Sequence, residues 1–215
     1  MNMKKTILLA LSMLTIASAL NAQTKGFVSG QMSVSSTSSP DDEAKTLSGT
    51  FGPAVGYNLT DKFVVGLGLN YTGSTFTNET EAGGLRTEIE RKSNLMTITP
   101  FARYMKKVDE DFSVYGQLAV GIGFGKNTEE TVTSGNGVNA TVEGRSDVSV
   151  LRTAIGPGVA YTFAPRWAIT TEWGALSYES RSVKPDVEGA EKSTYNDFGL
   201  QLNASAITFA LNWLF

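Results

Sequence analysis

The chain ends in a stretch of nine residues that decides its fold, Ile207-Thr208-Phe209-Ala210-Leu211-Asn212-Trp213-Leu214-Phe215. Side chains alternate between the two faces of a β-strand, so every second residue shares a face. One face is apolar up to the last residue: Ile207, Phe209, Leu211, Trp213 and Phe215. The other face carries small or polar residues: Thr208, Ala210 and Asn212. Such a strand is either the edge of a soluble β-sandwich or a strand that faces lipid and turns its polar side to a barrel lumen.

The start of the chain has the features of a secretory signal peptide over residues 1–22. Two lysines precede an apolar run, and small residues suited to cleavage follow it (Lys4 and Lys5, residues 7–16, Ala19 and Ala22). The run is too short, and too interrupted by polar residues, to cross a bilayer as a helix. We expect cleavage after Ala22, with Ala19 as the alternative, and export of a mature domain of residues 23–215.

The composition excludes several classes of function. The formal net charge of −3 becomes −5 once Lys4 and Lys5 are removed, because residues 1–22 contain no acid. This balance argues against nucleic acid and against a polybasic contact with a membrane surface. The chain has no Cys, which excludes disulfides and thiolate chemistry. It also has no His, which removes the usual general base and the commonest transition-metal ligand.

The mature region repeats one pattern, an alternating run followed by a polar connection. Each run approaches the roughly 9–11 residues that a tilted transmembrane strand needs, and no segment reaches the roughly 18 apolar residues of a transmembrane helix. The pattern predicts eight strands: residues 27–34, 51–59, 63–72, 95–105, 112–125, 151–163, 167–174 and 198–215.

The predicted connections alternate in length. Polar loops follow the odd-numbered runs, namely the acidic segment around residues 40–43, then residues 78–92, 127–147 and 180–196. Short turns follow the even-numbered runs at residues 60–62, 106–111 and 164–166. An up-and-down barrel with this alternation has all its short turns at one rim, as outer-membrane barrels do.

The sequence therefore predicts an all-β fold, an eight-stranded antiparallel up-and-down transmembrane β-barrel. Aromatic residues near the ends of the runs suit an interfacial girdle: Tyr57, Phe63, Tyr104, Phe112, Phe163, Trp167, Trp213 and Phe215. The alternative is a soluble barrel of the lipocalin type, whose apolar faces point inward.

Three segments resemble the small outer-membrane-protein β-barrel family, the eight-stranded group that includes OmpX-, OmpW- and PorT-like proteins. They are residues 56–63 (Gly-Tyr-Asn-Leu-Thr-Asp-Lys-Phe), residues 99–104 (Thr-Pro-Phe-Ala-Arg-Tyr) and the aromatic ending at Phe215. The resemblance covers residues 23–215 and implies that the ending is an insertion signal, formed by Phe209, Leu211, Trp213 and Phe215. The family includes adhesion, transport and assembly roles, so membership does not choose among them.

The interior of an eight-stranded barrel is just wide enough for side chains to fill. The alternation points six polar side chains into this lumen: Asn70, Arg103, Gln117, Arg152, Glu172 and Asn212. A buried charge is tolerated when it is paired, so we expect Glu172 to contact Arg152 or Arg103, with Arg152 favoured because its strand is adjacent. We interpret the group as a lumen network that rigidifies the barrel, with a charged constriction for small solutes as the alternative.

No catalytic residue, metal site or cofactor is predicted. The enzymatic barrels that the chain resembles depend on His, and no motif indicates a Ser–Lys pair. The acidic loops do not have the spacing of a calcium loop. Residues 121–125 alternate Gly with Ile and Phe as a strand does, and no helix follows them as a nucleotide loop would require.

We therefore expect a non-enzymatic barrel in the outer membrane of a Gram-negative bacterium, exported through the Sec pathway. Its expected role is structural or a surface interaction through four long, mobile external loops, and the alternative is a narrow channel for small solutes. The expected partners are outer-membrane lipid and lipopolysaccharide, the barrel-assembly machinery during insertion, and an external ligand of unknown identity. No nucleic acid is expected.

Overall fold

A computed structural model describes residues 26–38, 44–201 and 207–215. Within these ranges every regular element is a β-strand, and no helix is long and apolar enough to span a bilayer. The strands are β1 (Gly26–Ser38), β2 (Lys45–Asn58), β3 (Phe63–Ala82), β4 (Leu85–Lys107), β5 (Phe112–Gly135), β6 (Val138–Ala164), β7 (Trp167–Trp173), β8 (Ala175–Pro185), β9 (Ser193–Gln201) and β10 (Ile207–Leu214). The predicted signal peptide lies outside the described residues.

The strands close into a ring of eight, as the alternation predicts. Strands β1 to β6 pair antiparallel in chain order, and β10 returns to pair with β1. The segments β7 and β8 together occupy one position beside β6, interrupted at Gly174, where φ is +67°. In the same way β9 pairs with β8 and β10 pairs with β7, so these two segments share the last position. The ten described segments therefore occupy eight strand positions in one barrel.

The two faces of the wall differ in the predicted sense. Apolar side chains on the outside are largely uncovered, as Phe124 at 62% exposed illustrates, and the polar Asn212 inside is 2% exposed. A soluble barrel would bury its apolar face instead. A wall that is apolar outside and polar inside suits a barrel that is surrounded by lipid.

Three of the predicted loops are wrong. Residues 78–92 and 127–147 are paired strand almost throughout, because β3 continues to Ala82 and β5 continues to Gly135. Two-residue turns close these hairpins at residues 83–84 and 136–137. In the second turn Asn136 and Gly137 have φ values of +49° and +80°, a combination that suits Asn-Gly in a tight hairpin. Residues 180–196 are also mostly strand, and their connection shortens to residues 186–192.

The opposite rim, which we call the short-turn rim, consists of residues 59–62, 108–111 and 165–166. Backbone hydrogen bonds close two of its turns, from Leu59 N to Phe63 O at 2.8 Å and from Val108 N to Phe112 O at 2.9 Å. The far end, which we call the hairpin rim, carries the strands that overshoot the barrel. At the β3–β4 and β5–β6 hairpins the asymmetry between the rims therefore lies in strand length, where the sequence indicated long loops.

Candidate functional site

A buried arginine on β4 lies in the lumen near the short-turn rim. Arg103 is 6% exposed and donates from Nε and Nη2 to Gln117 Oε1 on β5, at 3.0 and 2.7 Å. Its Nη2 also lies 3.3 Å from Glu172 Oε1 on β7. A buried guanidinium needs such partners, because burying an unpaired charge is costly. One side chain thus ties three strands together across the lumen.

Three aromatic rings surround the same guanidinium. Its central carbon lies 4.0 Å from the ring centroid of Tyr115, 5.5 Å from that of Phe27 and 5.6 Å from that of Phe101. The rings of Phe27 and Phe101 stack with their centroids 6.4 Å apart. Cations within about 6 Å of an aromatic face are attracted to it, most strongly where water is excluded. We call these four side chains, with Gln117 and Glu172, the plug.

Each aromatic residue of the plug lies against a glycine on the neighbouring strand. The register pairs Phe27 with Gly56, Phe101 with Gly66 and Tyr115 with Gly158. A Cβ at any of these glycines would overlap the facing ring. The rings can therefore lie flat along the wall and leave room for the guanidinium between them.

A second polar cluster lies beside the plug, where the last strand meets β7. Asn212 donates from Nδ2 to Thr170 Oγ1 at 3.0 Å and to the carbonyl of Ala168 at 3.2 Å. The start of β1 is joined to the last residue at this level too, because Gly26 and Phe215 exchange two backbone hydrogen bonds of 3.1 Å. This cluster contributes to closing the ring at the short-turn rim.

Above the plug the lumen widens into a polar cavity of about 610 Å³. Gln31 donates to Asn70 Oδ1 at 2.7 Å, and Asn70 reaches Thr99 at 3.5 Å on the cavity wall. Arg152 and Glu179 line the same space. The cavity is therefore a polar vestibule that lies on the hairpin-rim side of the plug.

The structure brings together three of the six lumen residues singled out in the sequence: Arg103, Gln117 and Glu172. Asn70 lies higher on the wall with Gln31, and Asn212 belongs to the second cluster. The favoured pairing of Arg152 with Glu172 is wrong, and the ion pair of Glu172 is the alternative one, with Arg103. The register explains the difference, since β6 sets Gly158 opposite Glu172 and sets Arg152 opposite Glu179 on β8.

The alternation placed Phe101 and Tyr115 on the inward face, but sequence reasoning did not single them out as contributors to the lumen. It also did not single out Phe27, Gln31 and Glu179. Phe27, Phe101 and Tyr115 had a usable signal in the sequence, because each is an inward aromatic residue opposite a glycine of the neighbouring strand. Glu179 had none, because the seventh run was ended at residue 174 and β8 was not recognised as its continuation.

The predicted insertion signal lies on β10 and just after it. Phe209 and Leu211 are exposed on the outside of the barrel, and the rings of Trp213 and Phe215 lie 5.6 Å apart. These positions give the segment an apolar outer face. Its role as a signal stays a prediction.

A closed ring of eight antiparallel strands with an apolar exterior and polar side chains in its lumen is the architecture of a small transmembrane β-barrel. The family model of the outer membrane protein beta-barrel domain matches residues 6–215. The chain belongs to this family, and the protein is an outer-membrane barrel of a Gram-negative bacterium.

The chain is similar to several solved outer-membrane proteins at low sequence identity. A major outer membrane protein from Thermus thermophilus is 12% identical, with 90% of this chain and all of that chain covered and a TM-score of 0.49. OprG from Pseudomonas aeruginosa is 12% identical, with 91% and 98% covered and a TM-score of 0.43. Ail, the attachment invasion locus protein of Yersinia pestis, is 15% identical, with 90% and 100% covered and a TM-score of 0.31. No curated protein matches the chain.

Proposed function

We propose that this protein is a non-enzymatic integral barrel of the outer membrane with a structural or surface-interaction role. The observation that carries the proposal is the plug. Arg103, held by Gln117 and Glu172 and enclosed by aromatic rings, fills the lumen at one rim. A lumen filled by packed side chains supports the wall and does not conduct solutes.

The surface for interaction is the hairpin rim. Strands β3 and β4 stay paired from Tyr71 and Met96 to the turn at residues 83–84. At about 3.3 Å per residue, this hairpin extends roughly 35 Å along the strand beyond Tyr71. Paired strands of this length offer an external ligand a preformed surface.

The proposal of a non-enzymatic role is supported by the side chains available. The chain contains no His and no Cys, the residues that most often act as a general base and a thiol nucleophile. In the plug, the Glu172 carboxylate is engaged by Arg103 and by the Tyr115 hydroxyl at 3.3 Å. The carboxylate of the plug is therefore engaged in contacts that hold the wall together.

The proposed partners are outer-membrane lipid and lipopolysaccharide, the barrel-assembly machinery and an external ligand at the hairpin rim. The assembly machinery would read the apolar outer face of the last strand, formed by Phe209, Leu211, Trp213 and Phe215.

The alternative function is a narrow channel for small solutes. The vestibule of about 610 Å³ favours it, because this polar space reaches the plug itself. The plug lies between the vestibule and the short-turn rim. A channel would require the Arg103 guanidinium to move out from between its three rings.

Conductance across a planar bilayer separates the two functions. We expect no discrete current steps from the unaltered protein, because the plug fills the lumen. The variant Arg103→Ala removes the guanidinium from between the rings, so we expect it to admit water and to give small, discrete steps.

The matched control is Arg152→Ala, which removes the same kind of side chain from the vestibule wall and leaves the plug intact. We expect this variant to be as silent as the unaltered protein. Discrete steps from the unaltered protein, altered by Arg152→Ala, would overturn the closed-lumen proposal and support the channel.

A further inference from the structure

The vestibule above the plug has two unlike walls. On one side β1 to β4 present uncharged hydroxyl and amide side chains, among them Ser29, Gln31, Thr50, Asn70, Thr97 and Thr99. On the other side β6 and β8 present the charged side chains of Arg152 and Glu179. In the ring of eight, the positions of β6 and β8 lie opposite those of β2 and β3. A solute in this space therefore meets a neutral wall and a charged wall at once.

The neutral wall is held in place by its own hydrogen bonds. Gln31 Nε2 donates to Asn70 Oδ1 at 2.7 Å, and the hydroxyls of Thr50 and Thr72 lie 3.1 Å apart. A side-chain amide has two N–H donors and an oxygen that can accept twice. The bond between Gln31 and Asn70 therefore fixes both groups and leaves part of their hydrogen-bonding capacity free for a ligand.

The charged wall presents two groups that a solute can reach. Arg152 and Glu179 are direct partners across β6 and β8, so their side chains share the inner face. Among the residues that the structure describes, Glu172 pairs with Arg103, whereas no ion pair or hydrogen bond engages Arg152 or Glu179. A guanidinium supplies several N–H donors in a planar fork, and a carboxylate accepts at both oxygens. Together they offer donors and acceptors side by side.

The charges around the vestibule balance. Within the described residues its charged lining consists of two cations, Arg103 and Arg152, and two anions, Glu172 and Glu179. A lining with no net charge does not concentrate ions of either sign. An ion that entered would lose hydration without a net opposite charge to compensate it. The vestibule therefore favours an uncharged solute that forms many hydrogen bonds.

We infer that the vestibule binds a neutral polyhydroxylated solute, a saccharide of one or two rings. Adjacent hydroxyls of the sugar accept from Arg152 and donate to Glu179, and Gln31 and Asn70 bind it from the opposite wall. The cavity of about 610 Å³ lies within the roughly 300–1,000 Å³ of small-molecule sites. Because the plug forms the floor, the sugar enters and leaves at the hairpin rim. The inference rests on the proposed closed lumen and interaction role, and it adds a ligand class and the residues that bind it.

Saturation-transfer NMR tests the inference on the full mature chain, folded in micelles of a detergent without a sugar head group. The neutral probes are glucose and maltose, and glucuronate and glucosamine are the matched sugars of negative and positive charge. We expect transfer to at least one neutral sugar. The charged sugars should bind roughly tenfold more weakly, because the vestibule has no net charge to offset theirs.

Two variants locate the site. Arg152→Gln combined with Glu179→Gln keeps the lining balanced but removes both charge-assisted hydrogen bonds, so the neutral sugar should bind about tenfold more weakly. Gly68→Leu fills the vestibule and should abolish binding. A Cβ at Gly68 finds no atom closer than 3.7 Å, so the wall can accept the new side chain.

Each variant has a matched control. Arg166→Gln combined with Glu191→Gln removes the same two charges at exposed positions outside the vestibule. Gly116→Leu adds the same side chain on the outer wall, where a Cβ meets no atom within 4 Å. Both controls should leave the affinity for the neutral sugar unchanged.

Equal affinity of the vestibule variants and their controls would overturn the inference, and so would the absence of transfer to both neutral sugars. Swelling of liposomes in the same sugars is measured in parallel, and we expect none. A folded barrel that neither binds sugar nor causes swelling would overturn the vestibule site alone, whereas swelling would contradict the closed lumen of the proposed function. A boiled-versus-unboiled mobility shift verifies that each variant is folded.

Discussion

At the scale of single residues, the lumen depends on glycines that make room for rings. Tyr115 is 5% exposed and lies flat against Gly158, its direct partner on β6. A bulkier residue at that position would move the ring, and with it the Tyr115 face that contacts Arg103. Overpacking a packed interior is destabilising, because it forces side chains and backbone out of their preferred positions.

The variant Gly158→Ala should therefore destabilise the barrel by about 1–3 kcal/mol, because the added methyl group displaces Tyr115 from the plug. Urea unfolding in lipid vesicles, followed by gel mobility, measures the change. Gly116→Ala is the control, since a Cβ there meets no atom within 4 Å. Equal stability of the two variants would show that the ring does not depend on its glycine.

The sequence could predict which face each of these residues occupies, but not which residue it meets. Strand periodicity places Arg103, Gln117 and Glu172 in the lumen, because the period of two needs no further information. Contacts across the lumen depend on the register and shear of the whole ring, which periodicity does not contain. Arg152 therefore lies opposite Glu179. Glu179 belongs to β8, which continues the strand position of β7, and it lies seven residues after Glu172.

At the scale of elements, the two long hairpins carry like charges in direct register. Glu130 pairs with Glu90 on one side and with Glu143 on the other. Such opposed charges weaken a ladder, and Lys92 and Arg145 compensate by hydrogen bonding to the outer two glutamates. The central Glu130 is the one least compensated by these bonds.

The variant Glu130→Gln should stabilise the β5–β6 hairpin by about 0.5–1 kcal/mol, because it removes both opposed charge pairs without changing the size of the side chain. Slower amide hydrogen exchange in the outer half of this hairpin is the expected readout. Glu191→Gln, an exposed change in the connection between β8 and β9, serves as the control. Faster exchange in the Glu130 variant would show that the carboxylate is a net stabilising partner.

The existence of the strands was predictable, but their outer ends were not. Inside the bilayer the outer face of each strand must be apolar, and β2 and β5 therefore show a clear alternation of apolar and small or polar residues. Beyond Phe51, Tyr71 and Phe124 both faces of the strands meet water, so Thr, Glu and Asn continue the strands without an apolar face. The turn residues Gly83-Gly84 and Asn136-Gly137 were the remaining signal, and they mark the hairpin tips.

At the scale of the whole molecule, many large apolar side chains of the described strands lie exposed on the outside of the barrel wall. The first and last strands close it through the register from Phe27 with Leu214 to Gly30 with Leu211. The apolar residues on the outside of these and the other strands, such as Met32 at 77% exposed, require lipid as their surroundings. The general fold was predictable for this reason, because the bilayer imposes one solution on eight alternating strands.

Heat-modifiability examines this dependence on lipid in a single experiment. The mature chain is refolded into detergent micelles, and boiled and unboiled samples are compared on a denaturing gel, with circular dichroism recorded in parallel. We expect a mobility shift between the two samples, a strand-rich spectrum in micelles and no folding in plain buffer. A chain that folds in buffer without detergent, and shows no shift, would contradict the lipid-facing exterior and indicate a soluble barrel.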